Sequence, residues 1–165
     1  MKKHLEPKRY LCGFDSKKLP HVFTDVLVIG SGVAGLRAAV EAAKTSKVLV
    51  LAKGSMTESN TMYAQGGVAA VMSRRDSRKL HVADTMATGG GLSDEDVVRT
   101  IVDEGPKRVR ELHRWGARFD REDGHLALTL EGGHSRSRVV HAKGDATGSA
   151  IAESMLAKVL GDTNI

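Results

Sequence analysis

Cysteine is all but missing from this chain: among 165 residues only Cys12 carries a thiol. One thiol closes no internal disulfide and builds no cysteine cluster for zinc, so a packed core has to hold the fold. A reducing compartment is the default for such a chain, and a cytoplasmic location is the expectation. Aromatic residues make up only 4%, which removes the stacking platform on which single-stranded nucleic acids are bound. No apolar run approaches the ~20 residues of a membrane span. Residues 1–18 contain no apolar stretch of the kind a secretory signal needs. There is no internal repeat and no low-complexity tract. With 41% hydrophobic and 27% charged residues, the composition is that of one ordinary globular domain.

The net charge of +5 comes partly from the start of the chain. Lys2, Lys3, Lys8, Arg9, Lys17 and Lys18 face only Glu6 and Asp15 there. Residues 1–22 read as a basic N-terminal extension, either a solvated leader or an arm for nucleic acid. The leader is the reading adopted, with no nucleic-acid or membrane partner expected.

What is present begins at Asp25. Asp25 to Ile29 (DVLVI) is a short apolar run, expected as a strand buried on both faces of a parallel sheet. Gly32 to Ser46 reads as a helix, with Leu36, Ala39, Val40 and Ala43 on one face. Val48 to Leu51 (VLVL) reads as a second buried strand. Together they form a βαβ unit, the start of a Rossmann-like α/β fold. Between strand and helix lies Gly30-Ser31-Gly32-Val33-Ala34-Gly35. Gly30 permits the tight turn, Gly32 lets a pyrophosphate approach the backbone, and Gly35 lets helix and strand pack closely. The helix N-terminus then offers N–H donors and partial positive charge to phosphate. This context supports dinucleotide binding more strongly than the spacing alone. The acid that normally holds ribose hydroxyls at the end of the second strand is absent, because that place reads Leu51-Ala52-Lys53-Gly54. This argues against an ordinary NAD site. Lys53 is either a phosphate contact or a solvated lysine.

Farther on, Leu80 to Thr88 predicts a short helix and Gly89-Gly90-Gly91 a hinge. Ser93-Asp94-Glu95-Asp96 resembles a capping box opening another helix. Pro106 is expected to interrupt that helix or to start a new turn. Residues 117–130 predict short strands around Glu122-Asp123-Gly124. A last helix spans about Ser149 to Leu160, and Asn164-Ile165 reads as a step into another strand. Two polar, glycine-bearing loops stand out. Ser59 to Gly67 combines hydroxyls, amides and a glycine pair suited to wrapping a polar cofactor. Glu131 to His141 sets Arg136, Arg138 and two histidines beside Glu131, suited to a charged substrate. Either is otherwise an ordinary solvated loop. No histidine spacing predicts a metal site. His4, His21, His81, His113 and His125 are assigned no role.

Taken together, DVLVIGSGVAG, VLVLAKG, ESNTMYAQGGVAA, EGGHSRSRVVHA and DATG resemble the N-terminal FAD-binding region of L-aspartate oxidases. These belong to the succinate dehydrogenase and fumarate reductase flavoprotein family. The resemblance covers about Asp25 to Ile165. It implies a Rossmann-like FAD-binding domain over residues 23–165, incomplete at its C-terminus, with capping and helical domains absent. It implies FAD held by Gly30, Ser31, Gly32, Val33, Ala34, Gly35, Lys53, Asn60, Thr61, Met62, Tyr63, Ala64, Gln65, Gly66 and Gly67. Asn60 stands where the succinate dehydrogenase branch carries the histidine that bonds covalently to FAD, so the flavin is expected to be non-covalent. The resemblance places Glu131 against the amino group of L-aspartate.

The implied activity is oxidation of L-aspartate to iminoaspartate in de novo NAD synthesis. Oxygen or fumarate would be the acceptor, and a functional link to quinolinate synthase is expected. The family's catalytic arginine and carboxylate-binding residues lie later in its chains. No catalytic residue is therefore assigned here, and activity of these residues alone is not expected. A fumarate reductase-like flavoprotein and a non-catalytic nucleotide-binding module are the alternatives.

Overall fold

In the computed structural model, which describes residues 15–165, the predicted βαβ unit is β1 (Val26–Ile29), α1 (Val33–Ala42) and β2 (Val48–Leu51). There follow β3 (Val68–Ala69), α2 (Arg78–Thr88), α3 (Glu95–Arg114), β4 (Arg121–Glu122), β5 (His125–Leu126), β6 (Val139–Val140) and α4 (Thr147–Leu160). Cys12 and most of the basic extension lie outside the described residues.

β1 and β2 pair in parallel, from Val26 opposite Val48 to Ile29 opposite Leu51. Their alternate residues Val26, Val28, Val48 and Val50 pack against Ala39 and Ala43 of the α1 region. α4 lies against α1, burying Leu36 and Val40 with Ile151, Met155 and Val159. The other sheet face differs from the sequence expectation: Leu27, Ile29, Leu49 and Leu51 are 51%, 79%, 38% and 53% exposed. The crossover helix covers one face only, and no described element covers the second. Val48 presents its N–H to the edge of β2 away from β1, where it donates to the Asn164 carbonyl at 2.7 Å. The residues read as a step into another strand thus lie along that edge, although they form no strand of their own.

The second half is built on α2 and α3, which pack through Val82, Val98 and Val102. Asp94, not Ser93, caps α3: its Oδ1 accepts from the N–H groups of Asp96 and Val97 at 3.0 and 3.1 Å. A carboxylate there serves two orphan donors and the positive end of the helix dipole. α3 runs unbroken through Pro106, which is buried on the same stripe as Val98, Val102 and Val109. That packing outweighs a helical proline's cost of about 3 kcal/mol.

The hairpin β4–β5 turns through Asp123 and Gly124, at φ 48° and 79°. Both central residues of a two-residue hairpin turn of this kind need positive φ, which an Asp-Gly pair supplies. β3 and β6 pair antiparallel, Val68 opposite Val140 and Ala69 opposite Val139, and Thr129 bridges to Val139. This small sheet buries Ala70, Val140 and Ala142 against Val109, Ala117, Phe119 and Ala150.

Candidate functional site

The glycine turn has the geometry its spacing predicts. Gly30 sits at φ 114°, and a Cβ on Gly35 would fall 2.0 Å from the Gly30 carbonyl oxygen. Helix and turn approach so closely that only glycine fits at residue 35. Ser31 is buried, while Val33 and Ala34 are exposed at the helix start. Gly32 is the N-cap and supplies no side-chain cap. The first turn of α1 therefore needs an acceptor from elsewhere.

The loop at residues 59–67 provides one. Val33 N–H donates to Thr61 Oγ1 at 3.1 Å. Three residues on, the Ala64 carbonyl accepts from Gly148 N–H at 2.9 Å, in the first turn of α4. The N-cap of α4, Ala146, likewise has no side-chain cap. One loop thus serves the N-termini of two helices, α1 and α4, whose own caps are mute. Gly148 is the close-approach point, because a Cβ there would lie 2.1 Å from the Thr61 carbonyl and 2.5 Å from that of Ala64. Within the loop, Met62 N–H donates to the Ser59 carbonyl and Ala64 N–H to that of Thr61. These turns leave Asn60, Tyr63, Gln65 and Gly66 exposed. Tyr63 donates to Glu58 Oε1 at 2.8 Å, and that carboxylate pushes the phenol above its ordinary value.

At its far end the loop passes Gly67. A Cβ there would meet Val139 Cγ1 at 2.4 Å, the Val140 carbonyl at 2.7 Å and the His141 ring at 2.8 Å. His141 Nε2 is in turn 2.7 Å from Glu131 Oε1. The structure therefore gathers the glycine turn, the 59–67 loop, the start of α4 and, through His141, Glu131. Lys53 is exposed beyond β2 and touches none of them by hydrogen bond or ion pair among the described residues.

Residues 25–163 match the model of the FAD binding domain family. This chain belongs to that family. The family is that of the succinate dehydrogenase and fumarate reductase flavoproteins, and FAD is its cofactor. The chain is 54% identical over 144 residues to a chloroplastic L-aspartate oxidase of Arabidopsis thaliana, covering 87% of this chain and 22% of that one. It is 46% identical over 140 residues to the L-aspartate oxidase of Streptomyces coelicolor, covering 84% of this chain and 24% of that one. Among solved structures it is similar to a variant of E. coli quinol fumarate reductase FrdA, with a TM-score of 0.82 and 34% identity. That match covers 86% of this chain and 25% of that one. The chain spans about a quarter of the length of these relatives.

The residues present fit the dinucleotide of this family. Space is open beside Gly30, and a Cβ on Gly32 would meet only Thr61 Oγ1, at 3.7 Å. Backbone can thus approach phosphate oxygens closely at a helix N-terminus that carries partial positive charge.

Arg138 is not a solvated loop residue, and its guanidinium is already fully engaged inside the protein. Its side chain is 0% exposed and forms a fork on Asp76, with Nε to Oδ2 at 2.9 Å and Nη2 to Oδ1 at 2.8 Å. Nη1 donates to Asp84 Oδ2 at 2.6 Å and to His134 Nδ1 at 3.2 Å. Arginine only donates, so His134 Nδ1 is an acceptor there. Arg136 stays exposed and donates to the Ser135 carbonyl. Asp76 and Asp84 carry this network, and no sequence motif points to either. The available signal was Arg138 itself, a cation next to the buried pair Val139 and Val140, which requires buried anions as partners. His81, which had been assigned no role, is buried with Nδ1 unpartnered. Its burial, with Arg138 and His134 nearby, holds its pKa below the ordinary value. Among the described residues no cluster of three or more His, Cys, Asp or Glu is placed to hold a metal ion. No helix among them is long and apolar enough to cross a membrane.

Proposed function

We propose that this chain is the FAD-binding start of a flavoenzyme that oxidises L-aspartate to iminoaspartate, and that Glu131 receives the substrate's ammonium group. One observation carries the reading: a single loop, residues 59–67, runs from the glycine turn to the residue that holds Glu131. Thr61 bonds the first turn of α1. Gly67 lies against His141, which bonds Glu131. The phosphate-binding turn and the carboxylate thus belong to one connected constellation. The similarity to L-aspartate oxidases supports the choice of substrate.

When bound, FAD supplies the two-electron acceptor chemistry, with oxygen or fumarate as the terminal acceptor. The chain's own part is to bind and to orient. Gly30 to Gly35 present backbone donors to the pyrophosphate. Asn60 has no imidazole, so the flavin is held without a covalent bond. Glu131 offers a carboxylate to an ammonium, a charge-assisted pair that succinate cannot form.

The test places residues 25–163 in the corresponding segment of a full-length relative. The hybrid is expected to oxidise L-aspartate, and Glu131→Gln is expected to raise KM for L-aspartate about tenfold to a hundredfold. Unchanged L-aspartate kinetics in that variant, with succinate also oxidised, would move the assignment to a fumarate reductase-like enzyme.

A further inference from the structure

Glu131 lies at the start of an exposed loop, and its side chain is 45% exposed. A half-exposed glutamate samples many rotamers and loses that freedom when it grips a ligand. A carboxylate meant for an ammonium gains from being held in place beforehand. Here Glu131 Oε1 is held by His141 Nε2 at 2.7 Å, while Oε2 makes no hydrogen bond among the described residues.

The His141 ring is itself fixed from three sides. Its backbone directly follows β6, and its carbonyl accepts from Asp120 N–H at 2.8 Å. Gly67 leaves room for the ring edge, since any Cβ there would fall 2.8 Å from Cε1. Thr129 Oγ1 lies 3.1 Å from the same Nε2, and the bridge between Thr129 and Val139 sets that spacing. Nε2 carries at most one proton. The carboxylate at 2.7 Å accepts only, whereas the Thr129 hydroxyl has its own hydrogen for the Val139 carbonyl or for Glu131 Oε1, each at 3.4 Å. The Nε2 proton therefore goes to Glu131.

From this geometry we infer that His141 is a positioning residue for Glu131, donating from Nε2 so that the free oxygen, Oε2, faces the substrate's ammonium. The inference rests on the proposed role of Glu131. In its neutral form an imidazole suits the task better than a lysine or arginine would. It orients the carboxylate without cancelling the charge that attracts the ammonium. His141 also ties that orientation to the cofactor loop, because its ring edge lies on Gly67. A loop displaced at Gly67 would carry Glu131 with it.

Two measurements test this. The first is the long-range proton–nitrogen NMR spectrum of the histidine side chains in the full chain, which reads the tautomer without FAD or substrate. His141 is expected to show the Nε2–H form, and Glu131→Gln to shift its tautomer balance. An Nδ1–H form, or a spectrum that Glu131→Gln leaves unmoved, overturns the inference and leaves the function untouched.

The second measurement is steady-state kinetics in the hybrid enzyme. His141→Leu is expected to raise KM for L-aspartate about tenfold, with kcat within about twofold. His141→Gln keeps an N–H donor at the Nε2 position and is expected to recover most of that loss. If Glu131→Gln raises KM while His141→Leu does not, the inference fails and the function stands. If neither variant moves KM, the assigned role of Glu131 falls and the inference with it.

Discussion

Arg138 shows most sharply what a single residue does in this chain. Its guanidinium is wholly buried, and two carboxylates answer it. Burial pushes the Asp76 carboxyl up, but the Arg138 bonds and the Ser77 N–H outweigh it and hold Asp76 below its ordinary value. Asp84 is lowered to about 2, first by the Ser135 N–H and then, against the opposing pull of burial, by the Ser135 hydroxyl and Arg138. The network fastens the 131–138 segment, which begins at Glu131, to the second half of α2 through Asp84 and to the loop before that helix through Asp76. Replacing Arg138 by Met strands two acids without their cation. The expected cost is about 3–5 kcal/mol, read from urea unfolding.

The acid dependence has a definite sign. A carboxyl held below its unfolded value binds its proton later than the unfolded chain does as pH falls. Its contribution is complete above about pH 4 and is lost as pH drops towards the folded values. Wild type is therefore expected to lose stability between about pH 4 and pH 2. Arg138→Met should show a flatter loss over that range. An equally steep loss in the variant would show that the lowered acids owe nothing to Arg138.

At the scale of elements, the organising feature is the loop that caps two helices. Gly148 is the tightest point, where α4 begins directly against the carbonyls of Thr61 and Ala64. Both obstacles are backbone atoms, so a side chain at residue 148 must push the loop away from α4. Gly148→Ala is expected to cost about 1–3 kcal/mol and to weaken FAD binding at the same time, because the displaced loop is the one that bonds Val33. Thermal unfolding and flavin titration of the variant together check this. A loss of stability with FAD affinity unchanged would separate the loop from the cofactor site.

Much of this level was legible in the sequence. The strand, glycine turn and helix follow from the apolar run and from the places of Gly30, Gly32 and Gly35. The hairpin follows from Asp123 and Gly124. The pairing of β3 with β6 was not legible, since it joins two-residue strands some seventy positions apart, and no periodicity marks so short a segment. The cap of α3 was read one residue early because Ser93 and Asp94 are both good caps. The backbone conformation, not the residue type, decides between them.

At the scale of the whole molecule, one face of the β1–β2 sheet is left uncovered. VLVI and VLVL read as strands buried on both faces, yet Leu27, Ile29, Leu49 and Leu51 line an open face. The sequence carries the hydrophobicity of a two-sided sheet. The described residues supply helices to one side only, in a chain that spans about a quarter of its relatives. The glycine turn and the 59–67 loop, proposed to hold FAD, lie within the matched residues 25–163 and depend on contacts made there. The chain alone is therefore expected to bind FAD.

Flavin binding by the purified chain is the most direct test. FAD is added, excess is removed, and the visible spectrum is recorded before and after denaturation. The expected result is a yellow protein that releases all its colour to the supernatant on denaturation, in keeping with the proposed place of Asn60 at the flavin. A flavin that remains with the denatured chain would contradict non-covalent binding, and a colourless protein would contradict the assignment of the FAD site to these residues.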